Sequence, residues 1–291
     1  MDPRLDRIAE DLARDSHSGA SEMLVKIASS ILDLSDGDID VVPESDWIAF
    51  GIRLHEAKPT IATIFNLANN IMLEAEKGAG SSRRILAMVA SMMEGERCSV
   101  ERIAEAAGSI IEAGRVATSS YSSTVSAALA SVAARRPLKV TVAESLPGGE
   151  GRLFAKKLTD MGIEAEIVPD SNIYAIMAEM DCVLTGADSV SPHGLVNKVG
   201  TRALVEAARS HGLPAYAVCG LSKFSPVTLS DMVVTQIGST EGPSERSQIF
   251  ESTPLDRVTC IITEDGALSP SDIKERFHGR TMASGWSSID L

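Results

Sequence analysis

Apolar residues in the first third of the chain recur at spacings of three and four, the period of a helix with one buried face. From Ser21 to Leu34 they fall at Met23, Ile27, Ile31 and Leu34. Lys58-Pro59-Thr60 opens a second predicted helix, with Ile61, Ile64, Phe65 and Leu67 directed inward. A third runs from Ser99 to Glu112, with Gly114 placed to cap its end. No strand pattern interrupts residues 1–113.

From Arg115 the pattern changes. Short runs rich in Val and Ile occur at Arg115–Thr118, Leu138–Ala143, Glu164–Pro169, Cys182–Gly186, Pro214–Cys219, Met232–Ile237 and Val258–Thr263. Most are separated by helix-like segments, Ser123–Ala134, Gly151–Met161, Ile173–Met180 and Thr201–His211. This alternation predicts an α/β fold: a parallel sheet with helices on both faces. The chain thus divides into a helical part, residues 1–113, and an α/β part, residues 114–291. In such sheets ligands bind beyond the carboxyl ends of the strands. That rule selects the loops Ser119–Ser122, Glu144–Glu150, Asp170–Asn172, Gly186–Lys198 and Gly220–Phe224. The polar stretch Gly238–Arg257 breaks the alternation and is expected as an excursion, a lid or a disordered loop.

Composition narrows function more than fold. With 291 residues, 44% hydrophobic and 23% charged, the chain can bury a sizeable core without disulfides or metal. Its net charge of −13 argues against bulk nucleic-acid binding and against an anionic membrane surface, while leaving room for a local basic pocket. Uninterrupted apolar runs stay below the ~20 residues of a membrane span, and the charged opening Met1 to Glu10 lacks the apolar region of a secretory signal. Cys98, Cys182, Cys219 and Cys260 form no CxxC pair, and the expected compartment is the reducing cytoplasm.

Several loop residues could do chemistry. Thr185-Gly186-Ala187-Asp188-Ser189 puts a carboxylate at a strand's end, where a general acid or base would sit, although a turn aspartate is the commoner case. Asn197-Lys198-Val199-Gly200-Thr201 leads into a helix, with Thr201 as its cap and Asn197 and Lys198 near its anion-attracting amino end. A carboxylate, an amide and an ammonium within eleven positions suit a hydroxylated, phosphorylated ligand. Gly148-Gly149-Glu150-Gly151-Arg152 fits neither GxGxxG nor GxxxxGK[ST], which argues against a nucleotide P-loop. The hydroxyls of Thr118 to Thr124 can cap a helix or coordinate a phosphate, and Ser120 lacks the sequence context of a hydrolase nucleophile. His17, His55, His193, His211 and His278 show no metal-ligand spacing, and no cofactor is expected.

Taken in order, TSSYSSTV, VTVAESLPGGEGRLFAKKL, VPDSNIYAIM, VLTGADSVSPHGLVNKVGT and FESTPLDRVTCIITEDG resemble one superfamily. It comprises the translation initiation factor 2B alpha, beta and delta subunits, together with ribose-1,5-bisphosphate isomerase and methylthioribose-1-phosphate isomerase. The resemblance spans roughly residues 17–277, and GAD followed by NKxGT is its most specific element. It implies a helical N-terminal domain, a Rossmann-like C-terminal domain and dimerisation through the latter. It further implies that Asp188 holds the position of the isomerases' catalytic aspartate, and Asn197 and Lys198 that of their substrate-binding pair. Where the isomerases carry a cysteine preceded by histidine, this chain has Ser120 and Ser119. Ser18 replaces a phosphate-binding arginine, Lys58 the arginine of Arg-Pro-Thr, and Leu146 the arginine of Glu-x-Arg-Pro.

A serine is a far weaker acid and base than a thiol, and losing guanidinium forks weakens bidentate phosphate recognition. The TSSYS loop instead resembles the non-catalytic regulatory subunits. The expectation is a regulatory-subunit-like protein binding a sugar phosphate or nucleoside monophosphate between its domains. Its contacts would be Lys58, Ser119, Ser120, Glu150, Asp188, Asn197 and Lys198. One alternative is an aldose–ketose isomerase using Asp188, with Ser120 at the cysteine position or Cys219 as a relocated thiol. Another is an interaction subunit with an empty pocket. A homodimer or larger assembly, and an initiation factor, are the implied protein partners.

Overall fold

The computed structural model describes residues 1–15, 18–36, 42–227, 235–238, 245–277 and 281–288. Helices come first: α1 (Pro3–Arg14), α2 (Ala20–Leu32), α3 (Glu44–Ala57), α4 (Ala62–Glu76) and α5 (Ser81–Ile110). The three-and-four spacing read in α2 is realised, with Met23, Ile27 and Ile31 buried among the other helices. The thirty-residue α5 serves two cores. Its Ile85 and Val89 pack among the helices, while Ile103 and Ala107 lie against the sheet. It ends on Ile111 as its C-cap, so Gly114 is not the cap. The amide of Gly114 is instead taken by the Asp181 carboxylate at 2.8 Å.

The remainder alternates as β1 (Arg115–Ser119), α6 (Ser123–Ala133), β2 (Lys139–Ala143), α7 (Glu150–Asp160), β3 (Glu164–Val168), α8 (Ile173–Ile176), β4 (Cys182–Gly186), β5 (Ser189–Ser191) and β6 (Gly194–Lys198). It continues with α9 (Thr201–Ser210), β7 (Ala215–Val218), β8 (Thr235–Gly238), β9 (Glu245–Gln248), β10 (Phe250–Thr253), β11 (Cys260–Thr263), β12 (Gly266–Leu268) and α10 (Pro270–Glu275). The main sheet runs β12-β11-β7-β4-β1-β2-β3 and is parallel except for β12. The chain adds β2 and β3 on one side of β1, then β4 and β7 on the other. The strand order therefore reverses between β1 and β4, the position at which sheets of this kind form their ligand crevice beyond the strands' carboxyl ends. Residues of α5, α6 and α7 pack on one face of the sheet and those of α8, α9 and α10 on the other.

Two expected loops contain strands. Gly186–Lys198 holds the antiparallel pair β5 and β6, and β10 from the expected excursion Gly238–Arg257 joins them in a three-stranded sheet. These strands are only three to five residues long and rich in small polar residues, so they carry no apolar period. The run Met232–Ile237 does not extend the main sheet. Thr235 to Ile237 lie in β8, which pairs locally with β9, and Met232 to Val234 fall outside the described residues. Thr201 is the first residue of α9 rather than its cap, which is the left-handed Gly200. Its hydroxyl instead donates to the Lys198 carbonyl and accepts from Asn197. At the other end of the chain Ala283 and Trp286 return to the helical core. No helix among the described residues is long and apolar enough to cross a membrane.

Candidate functional site

The ends of β1 and β2 are held in an uncommon backbone conformation. Ser120 and Ser145 both have positive φ, 63° and 64°, although neither is glycine. Such residues persist where surrounding bonds over-determine them. Here the Ser120 amide donates to Ser145 Oγ at 2.6 Å, and that hydroxyl donates to the Ala143 carbonyl at 3.0 Å. The Asp170 carboxylate accepts the amides of Ser145 and Leu146 at 2.8 and 2.7 Å, fixing the loop before the cis Leu146–Pro147 bond. Beyond it α7 begins so close to β2 that a Cβ on Gly151 would overlap the Ala143 carbonyl oxygen. Glycine is required at that contact.

Asp188 follows β4, the strand that neighbours β1 at the reversal of strand order. Its amide donates to the Val196 carbonyl at 2.8 Å, and its own carbonyl accepts from Ala62 at 3.3 Å, at the start of α4. The helical region therefore closes directly onto the residue expected to do chemistry. Two buried lysines serve this end of the sheet. Lys198 Nζ is 2.7 Å from Glu150 Oε1, and Lys223 Nζ donates to the Ala187 carbonyl at 2.7 Å. Asp188 keeps some solvent contact, yet burial raises its carboxyl above the usual range, with Lys223 and then Lys198 pulling the other way. Cys219 is fully buried beside the same charges, and burial pushes its thiol up to about 12. Near neutral pH it stays protonated.

The expected contacts do not all converge. Among the described residues, the buried Ser119 hydroxyl has no hydrogen-bond partner, and neither has the buried Glu150 Oε2. Such atoms carry a desolvation cost, which a ligand phosphate would relieve at the Ser119 hydroxyl and a ligand hydroxyl at the Glu150 carboxylate. Asn197 is turned into the fold, its amide donating to Thr185 and Thr201 at 3.2 and 2.9 Å, so it shapes the loop that carries Lys198. Lys58 reaches back to the end of α1, where its ammonium donates to the Asp15 carbonyl at 2.6 Å. Ser18 is held by Asp15 and Lys26. Lys223 was not among the expected contacts. It is the one cation of the strand-end loop Gly220–Phe224, and that position was the signal for it. The turn carrying Lys223 has a second side: Ser222 faces Glu96 and a cavity of about 470 Å³ that none of the crevice residues lines. No group of three or more His, Cys, Asp or Glu among the described residues could hold a metal ion.

Comparison with known proteins places this arrangement. A putative translation initiation factor eIF-2B subunit 2-like protein of Pyrococcus horikoshii is 29% identical over 277 residues, covering 93% of this chain and 99% of the relative. A ribose 1,5-bisphosphate isomerase of Archaeoglobus fulgidus is 27% identical over 277 residues, covering 90% and 88%. The crystal structure of the Pyrococcus horikoshii translation initiation factor eIF-2B superposes with a TM-score of 0.79 at 26% identity, over 94% of this chain and all of that one. Factor-like and isomerase relatives thus share one fold with this chain. The family model that matches residues 48–270 takes in α4, the β1–β4 crevice and both buried lysines, and by that match the chain belongs to the Initiation factor 2 subunit family.

Proposed function

We propose that the crevice beyond β1 and β4 binds a sugar phosphate or a nucleoside monophosphate and does not turn it over. The observation that carries this reading is the pairing of Lys198 and Lys223 with Asp188 at the strand-order reversal. Two buried ammonium groups suit a phosphate, and a carboxyl beside them suits a ligand hydroxyl. The unpartnered Ser119 hydroxyl adds a further polar contact. Absence of turnover follows from Ser120, whose hydroxyl has no appreciable anionic population near neutral pH. Burial pushes the thiol of Cys219 up to about 12, so near neutral pH it stays protonated and serves poorly as a base. On this reading residues 1–113 and 114–291 are two domains that close on the ligand, and copies of the chain associate through the second.

Native mass spectrometry of freshly purified protein tests the reading, followed by titration with AMP and ribose 1,5-bisphosphate. The expected result is an oligomer that retains or rebinds one phosphorylated ligand per chain and leaves it unchanged. A chain that binds neither compound, or one that isomerises the bisphosphate at an enzyme's rate, overturns it.

A further inference from the structure

We propose that Glu150 is a resident counter-anion, seated on Lys198 where a ligand phosphate would sit, and that it makes the site selective for ligands charged enough to displace it. This rests on the ligand-site reading above and concerns the regulation of that same site.

The geometry is specific. Lys198 is 5% exposed at its side chain, and its ammonium has three hydrogens to place. Among the described residues, its only recorded partner is Glu150 Oε1 at 2.7 Å. Glu150 is the first residue of α7, yet its side chain crosses to β6 instead of capping its own helix, and its buried Oε2 has no partner among the described residues. Gly148 makes this pose possible. A Cβ there would stand 2.5 Å from Oε1, 2.6 Å from the carboxyl carbon and 2.7 Å from Oε2. The carboxylate thus fills the volume that any side chain at 148 would claim, and φ at that position is not left-handed, so glycine is not needed there for its backbone.

A ligand reaching Lys198 must outcompete a carboxylate already in place. A neutral hydroxyl does not. A phosphate monoester near neutral pH carries close to two charges and three strong acceptor oxygens, and it gains Lys223 as well. Glu150 therefore sets specificity by competition rather than by contact with the bound ligand.

Calorimetric titration of AMP, with adenosine as its uncharged counterpart, into the parent, Glu150→Gln and Gly148→Ala tests this. Gln keeps the shape and removes the competing charge. Ala at 148 keeps the charge and pushes the flexible carboxylate off Lys198. Both variants should bind AMP more tightly, Glu150→Gln by at least about tenfold, the scale of a lost hydrogen bond to a charged group, and adenosine should not respond. AMP affinity that is unchanged or weaker in both variants overturns the proposal and makes Glu150 a ligand contact or a structural ion pair. Absence of AMP binding in all three proteins overturns the ligand-site reading itself, and the proposal falls with it.

Discussion

The indole N–H of Trp286 donates to Asn69 Oδ1 at 2.8 Å, and the same oxygen accepts the Ala283 amide at 2.9 Å. The amide nitrogen of Asn69 donates to the Thr281 carbonyl at 3.0 Å, so one asparagine of α4 holds the C-terminal segment at three points. The Trp286 ring stacks on Phe65 with centroids 4.9 Å apart and meets His55 edge-on at 5.3 Å. Trp286→Ala should cost about 3–5 kcal/mol of stability, as truncating a buried aromatic side chain does. Chemical denaturation measures it, and a parent-like midpoint would show that the stack contributes nothing.

His55 predicts how stability follows pH. It is buried, neither ring nitrogen has a partner among the described residues, and burial lowers its pKa despite the neighbouring Glu56. The folded state therefore binds this proton less readily than the unfolded chain. Its contribution is present above the unfolded value near 6.5 and is lost as pH falls from there toward the folded value. Melting temperature should drop on acidification from pH ~7 to ~5, and the slope should flatten in His55→Phe. An equal slope in parent and variant assigns the acid sensitivity elsewhere.

The thiols should separate by reactivity. Cys98 is exposed, whereas burial holds Cys182 and Cys219 at about 12. Alkylation of the native protein near pH ~8 should mark Cys98 first and reach Cys182 and Cys219 only on unfolding. Peptide mapping reads the order, and rapid native labelling of Cys219 would contradict its burial.

Asp188→Asn and Lys198→Ala should weaken AMP and pentose-phosphate binding at least about tenfold, the scale of a lost charged hydrogen bond. Both residues sit at strand ends, so a cooperative melt should persist. Calorimetry and thermal melts run together decide it. Parent-like affinity in either variant removes that residue from the site.

Six of the seven exposed large hydrophobic residues among those described fall between Tyr121 and Tyr174: Tyr121, Leu146, Leu153, Met161, Ile167 and Tyr174. They belong to the loops and helices around β2 and the edge strand β3. They lie along one stretch of the chain but on both faces of the sheet, and each is a candidate for burial against a second copy. Light scattering should report at least a dimer of the 30.8 kDa chain, and Leu153→Asp with Tyr174→Asp should shift it toward monomer. A monomeric parent at micromolar concentration refutes this.

Much of the α/β part was legible because buried parallel strands are apolar on both faces, and each is followed by a helix of a different period. The strand-end rule also singled out the loops that carry Asp188, Lys198 and Ser120, since it needs only the order of elements. What stayed hidden depends on long-range geometry. The short strands β5, β6 and β10 are defined by their pairing and carry no hydrophobic period. That Asn197 turns into the fold and Lys58 toward α1 is decided by acceptors Thr185, Thr201 and Asp15, which no spacing announces. Lys223 was within reach of the strand-end rule and lacked only a reason to prefer it over an ordinary surface lysine.

The amide of Ala62 rests on the Asp188 carbonyl, and one turn further Asn66 holds the carbonyls of Ser222 and Phe224. The fifteen-residue α4 is thus tied to the strand-end loops by its first two turns, and ten of its residues are buried, the apolar ones in the helical core. At 1.5 Å per residue it is ~22 Å long, so it acts as a tie-rod: fixed at one end to the loops that carry Asp188 and Lys223, it ties their position to the packing of the helices around it.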